Sequence, residues 1–252
     1  MIALPAAMTD FLTEVGRFFQ ILGRTLAWTP RPPWDVRELL RQMVRVGVDS
    51  LPVVLLTSLF TGMVFALQTY STLRRFGAEG YVGSLVALSM VRELSPVISS
   101  LLIAGRCGSS MGAEIGTMRV TEQIDALEVL ATDPVHYLMV PRVWATVLTL
   151  PMLIVVGDVI GIVGGYLISV VYFGSNPVTY MENTFRYMDL DDLSSGLIKA
   201  AVFGLIVSVV GCQKGYFTRG GAEGVGRATT RAVVLASISI LIADFFLTKI
   251  LF

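Results

Sequence analysis

Charge is scarce in this sequence. Only 15% of its 252 residues are Asp, Glu, Lys or Arg, against about 25% in an ordinary soluble domain. With 54% apolar residues and a mean hydropathy of +0.72, that shortage points to an integral membrane protein. Net charge is missing as well: 19 basic and 19 acidic residues cancel, so nothing suggests nucleic-acid binding. Cysteine and histidine are nearly absent. Cys107 and Cys212 each stand at the end of an apolar run, and on the cytoplasmic side argued below they are expected to be reduced thiols rather than a disulfide. His136 has no Cys or His neighbour with which to form a metal site and reads as an ordinary loop or interfacial residue. A basic start followed by a continuous apolar core is lacking too, so the N-terminus does not read as a signal peptide.

What stands at the N-terminus instead is amphipathic. In MTDFLTEVGRFFQILGRTLAW, the residues Phe11, Val15, Phe18, Leu22 and Leu26 recur at helical spacing, with Glu14, Arg17 and Arg24 elsewhere on the wheel. The pattern fits a helix lying in the membrane interface, and the chain offers little soluble protein for it to pack on. TPRPPW then breaks the helix.

Five segments are apolar enough to cross a bilayer, which takes about 20 residues each: approximately 51–70, 82–105, 143–172, 196–213 and 232–252. Orientation follows from the basic residues between them. Arg17, Arg24, Arg31, Arg37, Arg41 and Arg45 precede the first span; Arg106, Arg119 and Arg142 follow the second; Lys214, Arg219, Arg227 and Arg231 follow the fourth. The other side has only Arg74, Arg75 and Arg186. The N-terminus is therefore expected in the cytoplasm and the C-terminus outside, which divides the chain into a cytoplasmic or interfacial segment, 1–50, and a transmembrane domain, 51–252. The expected fold is an all-α membrane protein.

Residues 113–142 then form the longest internal cytoplasmic segment, and their character is helical. Ile115, Met118, Ile124, Leu127 and Leu130 lie roughly on one side, Glu122, Asp125 and Glu128 form an acidic row, and Pro134 in TDP stops the helix. Such a helix suits either solvent or a partner pressed against it.

Arg92 and Glu93 fall near the middle of the second span, Asp158 in the third and Asp244 in the fifth. A charge at mid-bilayer costs about 2.5–3.5 kcal/mol on insertion scales, so these side chains must face protein or a wet cavity, or lose their charge. We expect Arg92 to pair with Asp158 or Asp244, as glue between helices or as a gating or headgroup-contacting group. Lys199 and Lys249 are expected to snorkel to the outer headgroups. Gly157, Gly161 and Gly165, continued by Ser169, form one ladder of small residues, and Gly108, Gly112 and Gly116 another; both permit close helix approach. GGAEGVG (220–226) lacks the strand, spacing and Lys of a phosphate loop, so nucleotide binding by this chain is excluded.

At this point several long motifs coincide. VRELSPVISSLLIAGRCGSSMGAEIGTMRVTEQIDALEVLATDPVHYLMVPR, then GIVGGYLISV and GAEGVGRATTRAVVLASISILIADFFLT, closely resemble the MlaE/YrbE family, the permease subunits of ABC systems that move lipids. The resemblance covers most of residues 50–252. It implies that the loop after the second span carries a coupling helix docking into a cytoplasmic ATPase, here Thr121, Glu122, Gln123, Ile124, Asp125, Ala126, Leu127 and Glu128. It also implies a homodimeric permease on an ATPase dimer; the family occurs in bacteria and chloroplasts, and with no transit peptide read at the N-terminus a bacterial inner membrane is the expected location. An MCE-domain partner is expected on the periplasmic side, and a STAS-domain protein joins some such complexes. ATP and its magnesium would be held by the partner ATPase, with no cofactor on this chain. The lipid cavity would lie between the two copies, near the outer end of the first span: Leu59, Phe65, Leu67, Gln68 and Tyr70. Phospholipid is the expected cargo, with the direction open.

Two other classes fare worse. An intramembrane enzyme needs a nucleophile and a base at membrane depth, and the only histidine lies in the cytoplasmic loop. An ion-coupled carrier could use Glu93, Asp158 and Asp244, but it usually carries an internal repeat, and none is found in this chain.

Overall fold

The computed structural model describes residues 6–32 and 35–251. Among them helix predominates and no β-strand occurs. The helices are α1 (Ala6–Trp28), α2 (Val36–Val46), α3 (Leu51–Leu73), α4 (Glu79–Val120), α5 (Gln123–Val129), α6 (Val135–Tyr172), α7 (Pro177–Arg186), α8 (Leu190–Tyr216) and α9 (Gly221–Leu251). Five stretches are long and apolar enough to cross a membrane: Val36–Phe76, which contains α2 and α3, and the helices α4, α6, α8 and α9. The chain is an all-α, multi-pass membrane protein.

Local chemistry explains where these helices start. Asn176 caps α7: its Oδ1 accepts the Val178 amide at 2.9 Å, and Pro177 supplies the pre-set first residue. Asp191 and Asp192 stand in the first turn of α8 and Lys214 in its last, each sign matching the helix dipole. Helices α4 and α6 each absorb two π-turns, Met90–Leu94 and Ala104–Gly108 in one, Val135–Met139 and Leu167–Tyr172 in the other.

Two compact units divide the chain. The first comprises the N-terminal residues through Met43, Ala104–Thr146 and Leu205–Ser239. Within it α4 and α8 touch through glycine: a β-carbon on Gly211 would come within 2.9 Å of the Gly108 carbonyl, and one on Gly215 within 2.9 Å of the Gly112 carbonyl. The expected ladder Gly108–Gly112–Gly116 is this contact. Helix α1 packs here with its charges inward. Glu14 is ion-paired to Lys214 and accepts from Gln213 at 3.0 Å, Arg17 lies 4.7 Å over the Phe217 ring, and Ile21 and Thr25 are fully buried. The exposed stripe of α1 is Leu12, Phe19 and Leu26. The side chain of Phe11 lies outside the described residues.

The second unit comprises Val44–Ile103, Val147–Gly204 and the residues from Ile240 onward. Its core is built on Ala66, Tyr70, Val82, Val86 and Met90, with Tyr70 stacked on Phe173 at 4.0 Å. The third-span glycine ladder is the crossing point: a β-carbon on Gly62 would overlap the Gly161 carbonyl, and one on Gly164 would overlap that of Leu59. Backbone-to-backbone packing of this kind holds helices together where no hydrophobic effect drives them. Helix α7 closes over the start of α4, where Asn183 donates to the Gly80 carbonyl at 2.7 Å. Helix α9 is different: only 11% of its apolar window is covered by the rest of the chain, against 44–56% for α4, α6 and α8.

Candidate functional site

The segment 113–142 is not one helix. Helix α4 ends at Val120, Thr121 and Glu122 turn the chain, and α5 begins at Gln123. Glu122 takes φ 61°, a left-handed conformation unfavourable for a residue with a side chain. At the other end the Ala131 amide bonds the Glu128 carbonyl (3.0 Å) and the Thr132 amide the Leu127 carbonyl (3.0 Å), with Ala131 at φ 57°. This is a Schellman stop, so the helix ends before the expected Pro134. The single apolar side expected for residues 115–130 does not form either, because the break re-aims α5. Ile124 is fully buried and pins it, whereas Val129 and Leu130 are 86% and 73% exposed.

Of the expected coupling residues, Thr121, Glu122, Gln123, Asp125, Ala126 and Glu128 are exposed and Leu127 is half-buried. The acidic row is only partly open. Arg119 reaches Asp125 at 2.6 Å, and Tyr216 at the end of α8 donates to Glu128 at 3.3 Å. The α5–α6 joint is held by Asp133, whose Oδ1 accepts the Val135 amide at 2.8 Å and whose Oδ2 accepts Arg24 at 2.8 Å and Trp28 Nε1 at 3.2 Å. Partial burial pushes the Asp133 carboxyl upward. The bond from Arg24, the amides of Val135 and His136, and the Arg24 charge outweigh it and hold the group below the ordinary carboxylate range. Nearby, Arg142 is buried and joins Leu138 (carbonyl, 2.7 Å) to Glu114 (3.0 Å).

In the second unit the intramembrane charges pair differently from expectation. Arg92 meets Asp192, with Nε 2.6 Å from Oδ1, rather than Asp158 or Asp244. Lys199 does not snorkel: it is 0% exposed and its Nζ lies 2.8 Å from Glu93, 3.0 Å from Asp244, 2.7 Å from Thr248 Oγ1 and 3.0 Å from the Arg92 carbonyl. That carbonyl stands four residues before Pro96, which has no N–H to donate to it, and is left open for Lys199. Arg92 and Glu93 thus serve two different partners from adjacent positions, as their divergence of about 100° around the helix demands. Asp158 stays apart, 5% exposed, with an Oδ1 that has no hydrogen-bond partner.

Sequence reasoning missed Asp192 and misplaced Lys199. Asp192, Ser195 and Lys199 are spaced i, i+3, i+7, one face of a helix; that spacing was the available signal. The expected fourth span, 196–213, begins too late to include Asp192, which lies in the first turn of α8.

The first span carries an open recess of about 540 Å³, lined by Leu56, Phe60, Val64, Phe65, Gln68 and, from α4, Leu94. Of the expected cavity residues, Phe65 and Gln68 line it. Leu67 is exposed, Leu59 is half-buried with its carbonyl against Gly164, and Tyr70 is buried under Phe173. An apolar trough with a few hydroxyl and amide groups suits an acyl chain.

Five membrane-length helices, with Arg92 and Lys199 paired to carboxylates inside them, mark an integral membrane protein. The sequence profile of the family described as permease MlaE matches residues 39–250. The chain belongs to that family. It is 47% identical over 242 residues to a probable ABC transporter permease protein of Rickettsia typhi, covering 96% of this chain and 93% of that one. It is 41% identical over 253 residues to the intermembrane phospholipid transport system permease protein MlaE of Haemophilus influenzae, covering 99% and 96%. Protein TRIGALACTOSYLDIACYLGLYCEROL 1, chloroplastic, of Arabidopsis thaliana is 44% identical over 216 residues, covering 86% of this chain and 62% of that protein.

Proposed function

We propose that this chain is the membrane subunit of an ATP-driven phospholipid transporter, working as a homodimer on a cytoplasmic ABC ATPase dimer. ATP and magnesium are held by the ATPase. Lipid passes between the inner membrane and an MCE-domain periplasmic partner, and a STAS-domain protein is a further candidate subunit. The reading places the N-terminus in the cytoplasm, the C-terminus in the periplasm and the Leu12–Phe19–Leu26 stripe of α1 in the membrane interface. It makes residues 121–128 the coupling helix, assigns the recess at Phe65 and Gln68 to an acyl chain, and uses the uncovered face of α9 for lipid or the second copy. Support comes from the family, and from the transport system named for the Haemophilus relative.

The observation that carries the reading is α5 itself. Two apolar side chains, Val129 and Leu130, stand almost fully exposed beside acidic groups at the tip of a strained turn. An exposed apolar pair with a charged rim is an interface in want of a partner. Closure of the ATPases on ATP would press there, and α4 and α6, which flank α5, would carry the displacement into the spans. The test is co-purification with the partner ATPase. Val129→Asp with Leu130→Asp is expected to abolish ATPase capture while the chain still inserts and folds; capture at the unmodified level would sink the coupling assignment.

A further inference from the structure

Helix α5 is poorly built to transmit force by itself. It has seven residues, Gln123–Val129, and a single fully buried side chain, Ile124. It is hinged at both ends by left-handed residues, Glu122 and Ala131. A push on such a segment would swivel it about its hinges.

Helix α1 braces it at two places. At the α5–α6 joint, Asp133 accepts from Arg24 (2.8 Å) and Trp28 (3.2 Å) with one oxygen while the other caps the first turn of α6 through the Val135 amide. Three more contacts from the same end of α1 and the residues after it reinforce this clamp. The Trp28 and His136 rings lie 5.0 Å apart, His136 Nε2 is 3.2 Å from the Arg31 carbonyl, and Trp144 Nε1 donates to Thr29 Oγ1 at 2.9 Å. About 15 Å back along α1, ten residues at 1.5 Å each, Glu14 grips Lys214 and Gln213. Two residues beyond Lys214, Tyr216 holds Glu128 of α5. Two attachments of α5, the joint before α6 and the last turn of α8, are therefore tied to one helix, besides its link to α4 through Arg119 and Asp125.

We propose that α1 is a strap that holds α5 at a fixed angle, and that Asp133 is its positioning residue: with the clamp closed, pressure on α5 moves α6 and α8 together instead of turning α5 on its hinges. This rests on the coupling role of α5 proposed above. His136, the lone histidine, is on this account part of the clamp and not a bystander in the loop.

Asp133→Asn tests it with minimal disturbance. The amide oxygen still accepts the Val135 amide and keeps the cap, while the amide nitrogen cannot accept from Arg24 or Trp28. In vesicles holding the complete complex, ATP hydrolysis should stay within about twofold. The lipid moved per ATP should fall about tenfold, the scale expected for losing a charge-assisted bond. Amides of residues 123–131 should exchange hydrogen faster. Arg24→Gln should reproduce the defect and Arg24→Lys should largely spare it. An unchanged lipid-to-ATP ratio in Asp133→Asn would overturn the strap. So would hydrolysis and transport falling together at a constant ratio, which marks a merely structural residue. If the unmodified chain captures no ATPase, the coupling reading fails by itself. Hydrogen exchange on the isolated chain then still decides the brace, since unchanged protection of residues 123–131 in Asp133→Asn would overturn it.

Discussion

Lys199→Met is the most informative perturbation of the second unit. The ammonium is 0% exposed and touches two carboxylates, a hydroxyl and a carbonyl. Methionine fills nearly the same volume, so packing changes little, and what is lost is the cation. Removing one member of a buried ionic cluster costs about 3–5 kcal/mol, because the remaining charges stay in place without compensation. The lower end applies here, since the Glu93 side chain is 38% exposed and water can relieve it. A loss of about 3 kcal/mol corresponds to a fall in melting temperature of about 6–12 °C. The second substitution discriminates further. Asp244 is only 20% exposed, so once Lys199 is gone its charge is the harder one to hydrate. Adding Asp244→Asn should therefore restore more stability than adding Glu93→Gln. The assay is thermal unfolding of the purified protein in one detergent, followed by loss of the monodisperse peak on size exclusion. A shift under about 2 °C for Lys199→Met would refute the view that its charge holds the carboxylates together. Better rescue by Glu93→Gln would refute the ranking by burial.

Three further outcomes can be measured on the same protein. Ala131→Gly should stabilise by about 1 kcal/mol, since glycine adopts the left-handed stop without the β-carbon penalty, and the gain should appear as slower hydrogen exchange at Thr132. Gly62→Ala puts a methyl group onto the Gly161 carbonyl and should cost about 2 kcal/mol or more, read as a lowered melting temperature; unchanged stability would show that α3 and α6 can slide apart there. The Asp133 clamp should titrate. Its carboxyl is held low in the folded protein, so the stabilisation is complete above the ordinary carboxylate range and is lost as pH falls through the lowered folded value. Trp28 fluorescence should therefore hold steady as pH falls from neutral and change only below the ordinary carboxylate range, and Asp133→Asn should abolish that change.

The five spans were legible because each is an apolar run of bilayer length, a signal that needs no tertiary information. The glycine ladders were legible for a related reason: small residues at four-residue spacing have one strong use in a membrane. The charge pairing was not. Sequence spacing says which way Arg92 and Glu93 point relative to each other, yet which helix stands opposite is a matter of packing. A π-turn at Met90–Leu94 shifts the register besides. The break at Thr121–Glu122 was equally hidden, because neither residue is a helix breaker and the contacts that fix α5 after the turn, the burial of Ile124 and the bonds to Arg119 and Tyr216, are tertiary. In α1, the charges that looked like the solvent side proved to be the protein side, since Lys214, Phe217 and Asp133 wait for them. Of the candidate cavity, Phe65 and Gln68 could be picked from the sequence, but Tyr70 could not be told from a core residue.

The π-turn at Met90–Leu94 has a genetic consequence. Such a turn is an α-helix with one residue too many. A single-codon deletion there would leave a helix that is still apolar and still long enough, by any reading of hydropathy. It would also remove the extra residue, so the turn would close as ordinary α-helix and the faces before and after it would stay nearly in register. Gly83 and Val86 would keep the surfaces that α7 and the core present to them, and Ser95 and the helix beyond would stay where they are. A one-residue in-frame deletion at Met90–Leu94 should then be far less damaging than the same deletion in the α-helical part of α4, where it would turn the two halves of the helix by about 100° against each other. A gap of one residue at this place in an alignment would mark a relative whose helix runs through without the π-turn.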